Sequence, residues 1–392
     1  MRILVCAPYL PFPPRGGGRA DIWRRIEAFR RLGHSVMLLH QYDTGGPLAP
    51  GPTDFADMDS VLDARFSYPI LRGPIRTVRQ LAGMARLPWH AAKAVPTGQA
   101  RVDAQDAVAR FDPELIWLDG PWMGEPAREA SAAHGAPLVY RSHNIEHQYL
   151  RRQARASPSV RNRLAWNLAS VGVERYEEGL MRDAAFTADI SLDDLEHWRS
   201  RGITSIGWLP PLPELALSDP PSQPVPSDLL FVGGLSLPNN IAGLRWLIDD
   251  VLPIVHRERP EVTLTVVGSS AKGAFRDELE AHPAIRTHFD VPSVAPFLFG
   301  ARVLTNPVWI GSGVQLKMLD MLMTDSPIIT RSQGVRGLPG DFAAQCEVAD
   351  SAEDFAAAAL ARLASPEVDA EQRALVRRRF EVSAVADCLE QV

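Results

Sequence analysis

Residues Asn306 to Leu338 read NPVWIGSGVQLKMLDMLMTDSPIITRSQGVRGL, and the punctuation of that stretch decides the fold: strand end, glycine loop, helix, proline stop, second strand. Gly311, Ser312, Gly313 and Val314 stand where the helix is expected to begin. Glycine lets a backbone approach a ligand closely, and a helix start presents unpaired N–H groups, so the arrangement suits an anion. Lys317 falls in the first helical turn, where the macrodipole disfavours a cation by roughly 0.3–1 kcal/mol unless an anion is bound nearby. A phosphate removes that conflict. Asp320 follows three residues later on the same face, which sets a carboxylate beside the phosphate clamp at a spacing suited to sugar hydroxyls.

Outward from this block, short apolar runs alternate with segments of helical period. Ile3–Cys6, Val36–His40, Leu115–Leu118, Leu138–Arg141 and Ala188–Leu192 read as buried strands; a second series runs through Leu229–Val232, Leu264–Val267, Val303–Thr305 and Ile328–Thr330. Between the series lies WLPPLPELALSDPPSQPVPSD, with prolines at 210, 211, 213, 220, 221, 224 and 226, a composition that forms neither helix nor central strand. The expectation is an α/β chain of two Rossmann-like, doubly wound domains. Their bounds are 1–207 and 228–367, with a proline-rich connection over 208–227 and a helical tail over 368–392. In the first helix, Ile22, Ile26 and Phe29 mark the buried stripe, with Arg24, Arg25, Arg30 and Arg31 expected away from it.

Composition narrows the function classes. The chain has 392 residues, 46% hydrophobic and 22% charged, enough for two domains of ordinary size. No apolar run approaches a membrane span of about 18 residues, and MRILVCAPY is a strand pattern without a signal peptide, so a soluble cytoplasmic chain is expected. Cys6, Cys346 and Cys388 are widely spaced, which indicates neither a disulfide framework nor a zinc site. Residues 1–205 hold 26 Lys+Arg against 23 Asp+Glu, a net +3, so the remainder carries −9 of the overall −6. The arginines of the basic half gather at 24, 25, 30 and 31, at 72, 76 and 79, and at 151, 152, 155, 161 and 163. They could face an anionic membrane at the inner surface or an acceptor phosphate, although solvated helix faces account for them equally. Nucleic-acid binding is excluded, because no basic motif interleaved with aromatics occurs.

In open parallel sheets ligands bind outside the carboxyl ends of strands. Gly16, Gly17 and Gly18 follow the first strand and open the first helix, a second anion-permissive start, or simply a tight turn. His143 stands just beyond the Leu138–Arg141 strand, in RSHNIE, and Asp119 ends the strand before it. Gly268 closes Leu264–Val267. Asp57-Met58-Asp59 has the DxD form of a metal motif but lies in an acid-rich stretch with no preceding strand, so no metal is expected.

GSGVQLKMLDMLMTDSPIITRSQGVRGL resembles the carboxyl-terminal signature of retaining GT-B glycosyltransferases, the large family-four group that includes sucrose synthases and mannosyltransferases. PYLPFPPRGGGRADIWRRIEAFRRLGHSVMLL, RSHNIEHQYLRRQA and LLFVGGLSLPNNIAGLRWLIDDVLP resemble the same family in the same order. The resemblance implies two domains facing a cleft, a terminal helix that crosses back to the first domain, and transfer of a sugar from a nucleoside diphosphate to a hydroxyl acceptor with retention, without a metal or other cofactor. It implies catalytic roles for His143, Lys317 and Asp320, with His143 directed at the transferred sugar. Donor diphosphate and sugar contacts fall to Gly17, Gly18, Gly311, Ser312, Gly313 and Val314, and the nucleobase and ribose to the vicinity of Gly268 and Val291. Two departures stand out. The family's paired carboxylates fall here on Ser312 and Asp320, and its Arg and Lys after the first strand of the second domain fall near Gly234 and Asn239 or Asn240. A nucleotide-sugar epimerase of the same fold, or a binding or scaffold subunit without turnover, are the alternatives.

Overall fold

The structure, a computed structural model, describes residues 1–392 except 15, 46–48, 71–82, 84, 85, 158, 215, 216, 218, 219, 270, 311 and 312, and only the backbone at 156. The chain forms two compact units, Met1–Pro211 with Val382–Val392, and Leu212–Glu381. The tail therefore divides later than its helical pattern suggests. The helix Ala370–Arg377 stays with the second unit, where buried Arg373 donates to the carbonyls of Thr324 and Gln345. Only the segment from Val382, with its helix Ser383–Leu389, joins the first.

The first unit is built on a parallel sheet of β1 (Arg2–Ala7), β2 (Ser35–Tyr42), β3 (Ala64–Pro69), β4 (Leu115–Asp119), β5 (Leu138–Ser142), β6 (Phe186–Asp189) and β7 (Ile206–Trp208), in the order β3-β2-β1-β4-β5-β6-β7. The central strands are apolar on both faces because helices cover both sides. Ile3, Leu4, Val5, Ile116, Trp117 and Val139 are fully buried. The expected strand at Ala188–Leu192 shifts to β6: Ser191 caps a helix that begins at Leu192, its hydroxyl accepting from Asp194 N–H. A serine cap ends the apolar run as a strand.

The second unit has a parallel sheet of β8 (Ser227–Gly234), β9 (Leu264–Ser269), β10 (Ile285–Phe289), β11 (Ala301–Asn306), β12 (Ile328–Thr330) and β13 (Cys346–Val348), ordered β10-β9-β8-β11-β12-β13. Leu229, Phe231, Leu264, Val266, Val303 and Ile329 form its core with Leu244, Val251 and Phe355 from the helices. In both sheets the chain order reverses beside the first strand of the unit, the switch point at which such sheets open a crevice. Among the described residues, no helix is long and apolar enough to cross a membrane.

Candidate functional site

In the second unit, the loop after β11 runs to the helix Leu316–Leu322, which starts three residues beyond Gly313 rather than at it. Gly313 adopts φ +69°, a left-handed conformation that favours glycine, and Val314 and Gln315 carry the chain into the helix. Gly311 and Ser312, expected to cradle a phosphate, lie outside the described residues.

Lys317 is where the charge of this unit concentrates. Its ammonium crosses to the end of β8, donating to Asn240 Oδ1 at 3.1 Å and to the Val232 carbonyl at 3.4 Å, above the ring of Phe231. All these partners are neutral, and among the described residues no carboxylate pairs with it. Burial alone brings its pKa from 10.5 down to about 7. Asn240 is held in turn, its Nδ2 donating to the Gly234 carbonyl. Lys317 thus brings a cation from another element to the strand end that the second departure leaves without its basic residues.

Asp320 is buried, and its Oδ1 accepts the backbone N–H of Glu214 at 2.8 Å. This side chain, expected to serve a ligand, also fastens the proline-rich segment onto its own unit. Gly268 and Val291 come together around β9 and β10, since Asp290 N–H donates to the Gly268 carbonyl at 2.9 Å. A Cβ at Gly268 would stand 2.5 Å from Leu235 Cδ1, so packing against Leu235 requires the missing side chain.

Two residues of this unit carry no sequence signal. Asn306, buried at the end of β11, directs Nδ2 to Gln315 Oε1 and Thr330 Oγ1, both at 3.2 Å, and ties the glycine loop to β12. Arg331 leaves β12 between the rings of Trp246 and Trp309, at 4.5 and 4.9 Å from their centroids, and lies 3.6 Å from Asp350. Its charge is engaged in that clamp.

In the first unit, Gly16 at φ +87° precedes the helix Gly17–Arg31, whose opening residues Gly17 and Gly18 are exposed. No side chain caps this start and no acid lies in its first turn. One turn further in, the expected exposure fails for Arg24 and Arg25, while Arg30 is half-buried and Arg31 exposed. Asp21, Arg24 and Arg25 are buried. Asp21 meets the Arg141 guanidinium at 3.3 Å and Arg25 at 3.8 Å, and Arg25 Nη2 donates to the Pro210 carbonyl at 2.9 Å while Arg141 Nη1 donates to that of Leu209. Burial opposes ionisation of Asp21, but Arg141, Arg25 and His143 outweigh it and hold the carboxyl below its usual range. The remaining expected arginine cluster, 72, 76 and 79, lies outside the described residues.

His143 sits between two carboxylates: Nε2 is 3.0 Å from Asp119 Oδ1, and Nδ1 is 3.7 Å from Asp21 Oδ2. Burial works against the imidazolium, yet the hydrogen bond to Asp119 and the charges of Asp21 and Asp119 raise its pKa above the ordinary 6.5. The backbone that carries His143 is fixed from below. Buried Glu177 accepts the N–H groups of Glu146 and His147 at the start of the helix Glu146–Ala156. Burial pushes Glu177 up to about 8 despite those two donors.

Asp21, Asp119 and His143 offer ligand atoms within 4.8 Å of one another, the one such group among the described residues. With Arg141 and Arg25 on Asp21, cations already occupy the negative side of that group, which disfavours a metal. Asp59 of the DxD sequence forms a two-pronged pair with Arg65 at 2.7 and 2.8 Å.

Comparison with known proteins places this geometry. Over residues 226–365 the chain matches the family described as Glycosyl transferases group 1. It is 24% identical over 375 residues to the "Uncharacterized 44.6 kDa protein in cps region" of Klebsiella pneumoniae, covering 91% of this chain and 89% of that one. Among solved structures, Anabaena Alr3699/HepE in complex with UDP superposes over 100% of both chains with a TM-score of 0.60 at 12% identity. Sucrose-phosphate synthase from Thermosynechococcus elongatus superposes over 100% of this chain and 97% of its own with a TM-score of 0.61 at 16% identity. Residues 226–365 are thus a glycosyl transferases group 1 domain, and the chain that carries it is a glycosyltransferase of GT-B fold.

Proposed function

We propose that this glycosyltransferase moves a sugar from a nucleoside diphosphate to a hydroxyl acceptor with retention of configuration, without a metal, on the cytoplasmic side. The observation that carries the reading is Lys317, a desolvated ammonium at the β8 strand end with only neutral partners. Holding a charge in that state is costly unless an anion arrives. A donor diphosphate supplies the anion, and Lys317 then neutralises the charge that grows as the glycosidic bond breaks.

The departing diphosphate oxygen takes the acceptor proton, so no side chain is required as nucleophile or base. In the first unit, Asp119 and Asp21 favour the charged form of His143, and the exposed start of the helix Gly17–Arg31 offers the amides of Gly17 and Gly18 to an anion. UDP is the first nucleotide to test, because Anabaena Alr3699/HepE of the same fold is found with it.

The engagement of Asp320 with Glu214 favours a second reading, a nucleotide-sugar-binding subunit without turnover. Release of UDP from a panel of UDP-sugars, followed by NMR of the anomeric product, separates the two. Turnover to an α-linked product from an α-donor supports retention; binding without turnover supports the subunit.

A further inference from the structure

The helix Val160–Ala169 presents its apolar side to solvent. Val160 is 67% exposed, Leu164 65%, Leu168 49%, and Val171, just past the helix end, 59%. At 3.6 residues per turn these four fall within an arc of about 80°. Opposite them, Ala169 is buried and Trp166 half-buried, where the helix packs on the helices Glu146–Ala156 and Trp89–Ala94. Among the described residues the row is therefore a face left unpartnered, on a helix that the fold holds in place.

Along the sequence the charge next to the row is of one sign, and the acids Glu174 and Glu178 come in only past its end, in a neighbouring cavity with Arg151, Arg175 and Arg201. From His147 to Val173 the sequence contains five arginines, 151, 152, 155, 161 and 163, and no acid. Arg161 and Arg163 are exposed on either side of the apolar row. Arg151, Arg155 and Arg163, with Ala154, Asn167 and Ser170, line a cavity of about 210 Å³ without a carboxylate. Such a concavity matches a phosphodiester headgroup.

We propose that this helix docks the chain on an anionic phospholipid bilayer, with Val160, Leu164, Leu168 and Val171 entering the headgroup boundary and Arg151, Arg155 and Arg163 holding a lipid phosphate. Apolar burial and attraction to anionic lipid act together in this geometry, and neither alone gives stable binding. A second copy of the same face is a poor occupant. In an isologous pair the arginines would oppose arginines, with no acid in the stretch to relieve them.

The test is co-sedimentation of the full chain with vesicles, either pure phosphatidylcholine or with about one-third phosphatidylglycerol, at low and high salt. The chain should pellet with the anionic vesicles at low salt and stay in solution with the neutral ones. Leu164→Asp with Leu168→Asp, and separately Arg155→Gln with Arg163→Gln, should each reduce partition roughly tenfold, with melting temperature unaltered because all four sites are exposed. The proposal is overturned by a chain that ignores anionic vesicles, by equal partition onto neutral ones, or by variants that bind as the parent does. It is overturned equally if light scattering shows a dimer that the aspartate variant dissolves, since a second copy then covers the row.

Discussion

His143 and Asp119 form a half-buried pair across neighbouring strand ends, Nε2 to Oδ1 at 3.0 Å, in which the carboxylate orients the ring and favours its charged form. The hydrogen bond and the charges of Asp21 and Asp119 favour the imidazolium over the neutral ring, against the cost of burial.

Two substitutions distinguish that role from a merely structural one. His143→Ala should lower kcat by roughly 10²-fold with nucleotide affinity little changed, as expected for an interaction realised mainly in the transition state. Asp119→Asn should leave the ring in place but weaken its charge, shifting the alkaline limb of the pH profile of kcat downward. Near-normal kcat per folded molecule in His143→Ala, alongside a large fall in melting temperature, would show the histidine to be structural.

The raised pKa of His143 also predicts a stability profile. Because the folded value lies above 6.5, the pair stabilises fully below that pH and loses its contribution as pH rises through the folded value. Urea unfolding from pH 6 to 9 should show this decline in the parent chain and not in Asp119→Asn. An identical profile in both proteins contradicts the coupling.

Asp320→Ala removes the acceptor for Glu214 N–H. Leaving a buried donor unpaired costs about 1–3 kcal/mol, so the variant should unfold earlier in denaturant. Nucleotide affinity should stay within about twofold, because the bonded oxygen serves the backbone rather than a ligand. A tenfold rise in Kd for UDP with unchanged stability would return Asp320 to the donor site.

Arg141 carries a similar structural load in the first unit. With Asp21 at 3.3 Å and the Leu209 carbonyl as partners, Arg141→Leu removes the nearest cation from a buried carboxylate and leaves it the longer contacts to Arg25 and His143. A loss of about 3–5 kcal/mol is expected, and Asp21→Asn in the same chain should recover part of it. Additive losses in the double variant, measured by chemical denaturation, would contradict the pairing.

What the sequence reveals and conceals follows from where the information lies. Central strands such as β1, β4, β8 and β9 are buried on both faces and announce themselves as continuous apolar runs. The four strands without that signal, β3, β7, β10 and β13, are the edges of the two sheets, half-exposed and mixed in composition. Lys317 and His143 drew notice in the sequence because each stands at a strand or loop end in a distinctive local pattern, and both have polar partners in the structure. The burial of Arg25 was not legible, since its partners are a carbonyl at Pro210 and an aspartate one turn back, and helical spacing alone reads such an arginine as solvated. The contact of Asp320 with Glu214 was hidden for the same reason, since the two lie 106 residues apart in the chain.

The central claim is that the buried ammonium of Lys317 awaits a diphosphate, and calorimetry of UDP with the parent chain and Lys317→Met tests it most directly. Between pH about 7 and 10.5 the native lysine has lost a proton that the unfolded chain keeps, so stability should rise with pH across that window, and in Lys317→Met this slope should disappear. Bound diphosphate favours the charged form, so at pH 8 the parent should take up protons on binding, visible as a dependence of the measured heat on buffer ionisation. The methionine chain should bind roughly 10- to 100-fold more weakly, without proton uptake and without loss of stability in the free state. Equal affinity and equal proton uptake in the two proteins would contradict the account.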